Sequence, residues 1–246
     1  MKVCLAGTSC LKNNKEEYNK IPFLLESFYT IKEWQIYYIN KSKLFLLDSG
    51  AFTFMNNFKG KVNWDEYIEK YADFINKYDI KYFFELDIDV VVGIKEVERL
   101  RKKLEKLTNK KCIPVWHKSR GLEYWKKMTK EYDYVAIGGI VIKEIKQKDY
   151  KYFIPLLEIA KKNKCKVHGL GFTSMKWLKK IKFYSVDSTS WTSGCRFGII
   201  YKFINNKLIQ IKKPLNTRIK KIKENEVIKN NLKEWIKFQE YADKYL

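Results

Sequence analysis

Short apolar runs alternate with longer amphipathic stretches along most of this 246-residue chain. The runs that predict strands lie at residues 2–7, 44–47, 82–87, 112–117, 134–137, 166–169 and 183–186. Short, continuous apolar runs are typical of strands that are covered on both faces. The pattern therefore predicts parallel strands separated by helices, which is an α/β architecture.

Between these runs, apolar residues recur three or four positions apart, which predicts helices. The clearest helix begins at Asn63, a capping residue with Glu66 in the capping-box position. Further helices are predicted at 94–107, 121–130 and 150–162, and residues 33–39 form a helix or a connector. Near the end, 197–203 and 208–212 predict a hairpin around Asn205 and Asn206. Residues 222–245 predict a lysine-rich helix whose apolar stripe holds Trp235, Phe238, Ala242 and Tyr245.

Polar residues or glycines close five of the predicted strands, at Asp48, Asp87, His117, Gly138-Gly139 and Asp187. In a closed barrel all of these ends meet at one mouth, whereas an open sheet forms a site only where the strand order reverses. We therefore expect one (β/α)8 TIM-like barrel over residues 1–246, with a C-terminal hairpin and helix. Its catalytic core is expected at about 1–203 and a basic C-terminal extension at about 204–246.

Composition narrows the possible partners. The formal net charge is +22, and such an excess favours nucleic acid or another polyanion, although lysine-rich codon usage in an AT-rich genome is an alternative. No apolar run approaches about 20 residues, and the first residues resemble a strand rather than a signal peptide. The five cysteines show no CxxC or CxC spacing. We expect reduced thiols, no membrane partner and a cytoplasmic location.

Three motifs at strand ends carry a family resemblance. They are DSGAF at 48–52, GGI at 138–140, and GLG at 169–171 followed by VD at 186–187. In this order, over about residues 44–198, they resemble the DSGGF/Y, GGL and GVG…FD motifs of the tRNA-guanine transglycosylases. The small size and the segments VHGLG and YSVDSTSW are most similar to the short phage-type branch, which places 7-deazaguanines in DNA.

One departure from the family affects the expected substrate. The tRNA enzymes carry a zinc subdomain with a CxCxxC and a later histidine, but here Cys195 is the only cysteine after Asp187 and no histidine follows it. We therefore expect no zinc subdomain, no metal and no cofactor. DNA is the expected polymer and tRNA the alternative, with a free 7-deazaguanine base as second substrate. An accessory protein that opens the DNA is possible, and a phage-encoded enzyme would act in the host cytoplasm.

The resemblance implies two catalytic acids. Asp187 matches the nucleophile that attacks the anomeric carbon C1′ of the target nucleotide and forms a covalent intermediate, as carboxylates do in retaining glycosidases. Asp48 matches the general acid/base that moves protons on the departing and arriving bases. The alternatives are ordinary, because aspartate often caps a helix or forms a turn, as Asp48 would in an Asp-Ser-Gly loop.

Recognition of guanine needs an acceptor for its N1–H and its exocyclic amine, and Asp87 is our choice. Glu85 and Asp89 share its face of an extended strand and remain alternatives. Gly138 and Gly139 allow a backbone amide to approach the purine carbonyl, unless they only form a tight turn. The other expected base-contacting residues are Ile140, His117, Phe52, Gly169 and Gly171. For His117 and Phe52 a purely structural role is the alternative, and His168 is expected to be a packing residue.

The target guanine lies in a polymer and has to be extruded from it. The expected contacts to the nucleic-acid backbone are Arg196, Lys212, Lys213, Arg218, Lys220 and Lys221. A solvated helix face is the alternative for these residues. A non-catalytic basic barrel that binds nucleic acid is the remaining hypothesis, and it predicts salt-sensitive binding without base release.

Overall fold

A curled, seven-stranded parallel sheet organises the molecule. The computed structural model describes residues 1–12, 15–51, 53, 62–211 and 224–246, with only the backbone described at 195, 196, 224 and 225. The strands are β1 (Lys2–Ala6), β2 (Phe23–Ser27), β3 (Leu44–Asp48), β4 (Val115–Trp116), β5 (Tyr134–Ile137), β6 (Lys166–Gly169) and β7 (Ser185–Ser188). Their order across the sheet is β3-β2-β1-β7-β6-β5-β4. The predicted parallel α/β architecture is confirmed.

Helices connect these strands and cover one face of the sheet. Within the described residues they are α1 (Lys15–Tyr18), α2 (Glu33–Ile36), α3 (Trp64–Lys77), α4 (Asp89–Val92), α5 (Ile94–Thr108), α6 (Gly121–Glu131), α7 (Phe153–Lys162), α8 (Met175–Leu178), α9 (Ser193–Phe197) and α10 (Glu224–Tyr245). A hairpin of β8 (Ile200–Ile204) and β9 (Lys207–Ile211) turns at Asn205 and Asn206, whose φ angles of 51° and 58° suit such a turn. None of the helices in the described ranges is long and apolar enough to cross a bilayer.

Several strands differ from the sequence prediction. The strand β2 was not predicted, because Glu26 interrupts its apolar run; the carboxyl group of Glu26 is buried against the hydroxyl groups of Thr8 and Tyr18. In the predicted strand 82–87, only Phe83 and Phe84 form parallel bridges, to Leu47 and Ile113. In the predicted strand 112–117, only Val115 and Trp116 form a regular strand, which is β4. The last parallel strand lies two residues later than predicted, so Asp187 is inside β7 rather than after it.

The two faces of the sheet have different neighbours. Because side chains alternate along a strand, one set packs against the helices and the other packs on the inner face of the curl. The inner-face cluster is formed by Cys4, Ala6, Phe23, Leu25, Leu44, Leu46, Phe84, Ile113, Val115, Tyr134 and Ala136. The same alternation places Asp48, His117 and Gly138 on this inner face at the carboxyl ends of their strands. The inner face therefore runs from an apolar interior to a polar end.

The helix α3 fixes the segment that contains Phe84. Asn63 caps this helix by accepting a hydrogen bond from the backbone N–H of Glu66 at 3.2 Å. The fully buried Tyr71 places its hydroxyl 3.0 Å from the carbonyl oxygen of Leu47 and 3.1 Å from that of Phe84. The side chain of Tyr71 therefore links β3 to the segment at Phe83 and Phe84.

The C-terminal helix α10 packs near the amino-terminal ends of β1 and β2. The amide of Gln239 donates to the carbonyl oxygens of Val3 at 2.6 Å and Phe23 at 3.0 Å. Trp235, Phe238 and Ala242 are buried as predicted, but Tyr245 is 61% exposed and does not belong to the buried stripe.

We predict that Tyr71→Phe lowers the free energy of unfolding by about 1–2 kcal/mol, because a buried hydroxyl donor between two carbonyl groups is lost. Urea denaturation at pH 7 measures the change. Tyr37→Phe is the matched control, since Tyr37 is 65% exposed, and it should change stability by less than about 0.5 kcal/mol. Equal stability of the two variants would show that Tyr71 does not hold the two segments together.

Candidate active site

The backbone around Asp48 orients its carboxylate. Asp48 ends β3, and its Oδ2 accepts a hydrogen bond from the N–H of Gly50 at 2.9 Å. Gly50 has a φ of +69°, and a Cβ atom at this position would lie 2.4 Å from Ser27 Oγ and 2.5 Å from Tyr29 Cβ. Only glycine allows this tight loop, so the Asp-Ser-Gly sequence holds the acid at the strand end.

The surroundings of Asp48 favour its protonated form. Burial raises its pKa, the hydrogen bond from Gly50 opposes the rise, and the negative charges of Asp87 and Asp187 increase it, so that the pKa is about 6. The three carboxylates therefore lie close enough to interact. A carboxyl group with a pKa near neutrality can both give and take a proton under physiological conditions.

Asp187 is held by its neighbours through one oxygen. Its Oδ1 accepts the backbone N–H of Gly171 at 2.7 Å and lies 3.2 Å from Nε2 of the fully buried His168. The side chain is 13% exposed, and in the sheet Asp187 is paired with Cys4 of β1. Burial and the charge of Asp187 raise the pKa of the Cys4 thiol, so this cysteine is not a reactive thiolate.

A second acidic group surrounds His117, which directly follows β4. Its Nε2 lies 2.6 Å from Asp87 Oδ1, and its Nδ1 lies 2.9 Å from Glu144 Oε2. The other oxygen of Glu144 accepts the N–H of Ser119 at 2.8 Å. An imidazole with a carboxylate on each nitrogen satisfies both only as the doubly protonated cation.

The charge on His117 follows from these contacts. Burial lowers its pKa, but the hydrogen bond and charge of Asp87, the charge of Asp89 and the hydrogen bond with Glu144 together raise it to about 9.

Asp87, Asp89 and His117 also offer ligand atoms within 4.8 Å of one another, which is close enough to hold a metal ion. Metal binding needs a neutral imidazole, and here both nitrogens already serve carboxylates. The geometry therefore suits an imidazolium better than a metal ligand.

The three acids of the 85–89 segment have different environments. Glu85 is fully buried and accepts the N–H of Val115 at 2.7 Å and Nη1 of Arg120 at 3.1 Å. Asp89 accepts Nε of Arg120 at 2.9 Å and is 11% exposed. Asp87 is the most exposed of the three at 27%, and its one ion-pair partner in the described chain is His117. Of the three, Asp87 is the most accessible to a ligand.

A cavity of about 160 Å³ opens beside this group. It is lined by Asp87, Asp89, Val90, His117, Gly138, Gly139, Val141, Ile142 and Leu170. A Cβ atom at Gly138 would lie 2.9 Å from the His117 ring, and one at Gly139, where φ is +82°, would lie 2.6 Å from Glu144 Oε2. The two glycines are therefore needed for the packing of the imidazolium and its carboxylate partner.

Other expected site residues lie elsewhere. Ile140 is partly buried and packs on the main core, and Gly169 is packed against Phe172 and Phe183; neither lines the cavity. Gly171 contributes its backbone N–H to Asp187 instead. Phe52, Lys212, Lys213, Arg218, Lys220 and Lys221 lie outside the described residues, and so does the side chain of Arg196.

Two contacts were not predicted from the sequence. His168 was expected to be a packing residue, but its imidazole bonds to Asp187. Glu144 was not singled out, although it fixes one nitrogen of His117. Both contacts join residues that are 19 or more positions apart, and no local pattern in the sequence signals them.

A larger groove of about 440 Å³ lies at the other end of the strands, where β6 and β7 begin. It is lined by apolar residues and by five lysines, and it contains none of the acids described above. Volume alone therefore does not identify the site. The convergence of carboxylates and an imidazolium at the carboxyl ends is the stronger indication.

Comparison with models of known protein families found no match, and comparison with curated proteins found no relative.

We predict that Asp48→Asn stabilises the protein at pH 7 by about 1–3 kcal/mol, because the wild type has to ionise a partly buried carboxyl group beside two others. The pKa of Asp48 is about 6 in the folded protein and near its ordinary value in the unfolded chain. The folded state therefore binds more protons between about pH 4 and pH 6, and wild-type stability falls as pH rises through that window. Thermal unfolding from pH 4 to 8 should show the variant's advantage appearing over this range; a pH-independent difference would contradict the assignment.

We also predict that the imidazole of His117 titrates near pH 9 in NMR and that Asp87→Asn lowers this midpoint. The chain contains two histidines, so His117→Gln assigns the signal. The raised pKa stabilises the fold fully below about pH 6.5, and this contribution is lost as pH rises through 9. The exposed Asp79→Asn serves as control and should leave the midpoint in place. An ordinary midpoint that Asp87→Asn does not move would refute the ion pair.

Proposed function

We propose that this chain is a pentosyl-transferring enzyme that exchanges guanine in DNA for a 7-deazaguanine base. The observation that carries the proposal is the placement of Asp48 and Asp187. They share one end of the sheet, where the charges of Asp187 and Asp87 raise the pKa of Asp48. Asp87 and His117 line the cavity at this end, whereas Asp48 and Asp187 do not line it. Two interacting carboxyl groups with different environments are the arrangement that most glycosidases use for displacement at the anomeric carbon.

Asp187 is the proposed nucleophile. Its Oδ1 accepts from Gly171 and His168, and Oδ2 has no hydrogen-bond partner within the described residues, so that Oδ2 can attack C1′ of the target nucleotide. As the new C–O bond forms, the C1′–N9 bond breaks and its electron pair leaves with guanine. The sugar stays covalently bound, so the polymer is not lost while one base replaces another.

Asp48 is the proposed proton carrier. In its protonated form it gives a proton to the departing guanine, and its carboxylate then takes a proton from the incoming base. The incoming N9 attacks C1′ and expels the carboxylate of Asp187. The raised pKa of about 6 supports this double role, because both forms are accessible near neutral pH.

The cavity is the proposed base pocket. Asp87 is held by His117 through Oδ1, and its second oxygen can accept hydrogen bonds from guanine. Because a carboxylate oxygen only accepts hydrogen bonds, the pocket favours a base that presents adjacent donors. A free 7-deazaguanine presents the same donors and would occupy the same pocket in the second half of the reaction.

The polymer is proposed to be DNA. The net charge of +22 favours a polyanion, and the sequence lacks the zinc-binding motif of the tRNA enzymes. The target base has to leave its stack before it reaches the cavity, by its own flipping or with an accessory protein that opens the duplex.

We further propose that the sheet belongs to a complete eight-stranded barrel. The segment at Phe83 and Phe84 bridges β3 through Leu47 and continues to the β4 side through Ile113, all in parallel orientation. With this segment as an eighth strand, β3 and β4 would no longer be sheet edges. The carboxyl ends of all the strands would then surround one mouth, as in other barrel enzymes.

We predict that Asp187→Asn lowers base exchange by at least about 10³-fold and removes the covalent protein–DNA adduct, because the amide is a poor nucleophile. Labelled guanine incorporation and a denaturing gel measure the two effects. Asp79→Asn is the matched control, since its side chain is 92% exposed, and it should keep full activity. Incorporation by the Asp187 variant at the wild-type rate would refute the nucleophile assignment.

The same assay distinguishes the polymers. Parallel reactions with single-stranded DNA, duplex DNA and tRNA, each with labelled guanine, identify which one is modified. Exchange in tRNA alone would replace DNA with tRNA in the proposal. Salt-sensitive binding without exchange in any polymer would instead support a non-catalytic nucleic-acid-binding barrel.

A further inference from the structure

A chain of buried polar side chains approaches Asp187 from the interior of the sheet. The hydroxyl of Tyr134 contacts Oγ of Ser185, which lies 2.5 Å from Nδ1 of His168. Nε2 of His168 lies 3.2 Å from Oδ1 of Asp187. Ser185 and His168 are fully buried and Tyr134 is 6% exposed, so solvent does not complete these bonds.

Strand pairing places these groups in line. His168 of β6 is paired with Ser185 of β7, and Tyr134 is the first residue of the neighbouring strand β5. Phe84 packs against the imidazole with ring centroids 5.3 Å apart. Because the ring is fixed by the sheet on one side and by Phe84 on the other, it cannot turn away from Asp187 without moving the inner-face packing.

The donor and acceptor properties of the four side chains determine which one donates in each hydrogen bond of the chain. Asp187 as a carboxylate only accepts, so Nε2 of His168 carries a proton. Burial raises the pKa of Tyr134 well above its ordinary range, so its hydroxyl is a donor at neutral pH. Ser185 is the partner found for that hydroxyl in the described residues. The consistent order is Tyr134 to Ser185, Ser185 to Nδ1 of His168, and Nε2–H to Asp187.

We propose that Tyr134, Ser185 and His168 form a positioning relay that fixes His168 as the neutral Nε2–H tautomer and presents the free oxygen of Asp187 to the sugar. The proposal rests on the proposed function for the role of Asp187. If Nδ1–H donated to Ser185 instead, the hydroxyl proton of either Ser185 or Tyr134 would lack an acceptor among the described residues.

The relay also has a consequence for the two reaction steps. In the first step Oδ2 of Asp187 bonds to C1′, the C1′–N9 pair leaves with guanine, and Oδ1 becomes the carbonyl oxygen of the ester. Gly171 and His168 can keep their hydrogen bonds to Oδ1 throughout. In the second step the ester bond breaks and its electron pair returns to the carboxylate. A neutral donor stabilises that leaving carboxylate without taking away its negative charge.

The activity test compares substitutions of His168. His168→Leu should slow single-turnover adduct formation by about 10²-fold without changing the affinity for DNA, because the nucleophile is no longer held in line. His168→Gln retains an N–H donor and should recover part of the rate. Thermal unfolding checks that both variants fold. A folded His168→Leu variant with the wild-type rate, or with no rescue by His168→Gln, would overturn the positioning role.

The second test does not depend on catalysis. In ¹⁵N NMR, wild-type His168 should be the Nε2–H tautomer, and Ser185→Ala should shift it towards a mixture of tautomers. Ser188→Ala is the matched control, because Ser188 lies on the same strand, is also buried, and bonds to the N–H of Ser190 instead. An Nδ1–H tautomer in the wild type would refute the relay. Absence of exchange in any polymer with the expected tautomer would refute the proposed function and leave the relay geometry standing.

Discussion

The partial burial of Asp48 beside two other carboxylates, at one end of the sheet, is the constraint on which the rest of the site depends. Asp48, Asp87 and Asp187 lie close enough to interact, and each is accommodated differently. Asp187 is held by Gly171 and His168 and Asp87 by the imidazolium of His117, whereas Asp48 shifts its pKa to about 6. The three aspartates therefore have different environments. Such a difference allows one carboxyl group to act as an acid or base and another to act as a nucleophile.

The fold produces this crowding and also limits it. Parallel strands bring residues from distant parts of the chain to one end of the sheet, while the inner face below is filled by apolar side chains. In the acidic 85–89 segment, Arg120 balances the charges of Glu85 and Asp89, because it pairs with both. Asp87 instead pairs with His117, whose imidazolium can lose its proton. The charge balance of the site therefore depends on the protonation of His117.

The sequence was sufficient for the parallel α/β architecture and for Asp48 at a strand end. It was not sufficient for the strand order, for the place of Asp187 within β7 or for the partners of the acids, and the expected closed eight-stranded barrel stays a proposal. Asp48 could be found because an apolar run ends in an acid, and the alternation of strands and helices places such ends together. The partners of Asp187 could not, since the bond from His168 depends on the pairing of β6 with β7. The strand β2 was missed because Glu26 lies within it, and the burial of Glu26 depends on Thr8 and Tyr18, which lie outside the strand, 18 and 8 residues earlier. Local patterns carry no information on these contacts.

The coupling between Asp48 and Asp187 is most directly tested by carboxyl ¹³C NMR titration of Asp48 in the wild type and in Asp187→Asn. We expect a midpoint near pH 6 in the wild type and a lower midpoint in the variant, because one of the two neighbouring charges is removed. A midpoint near the ordinary value of aspartate that does not respond to the substitution would show that the two acids do not share a site.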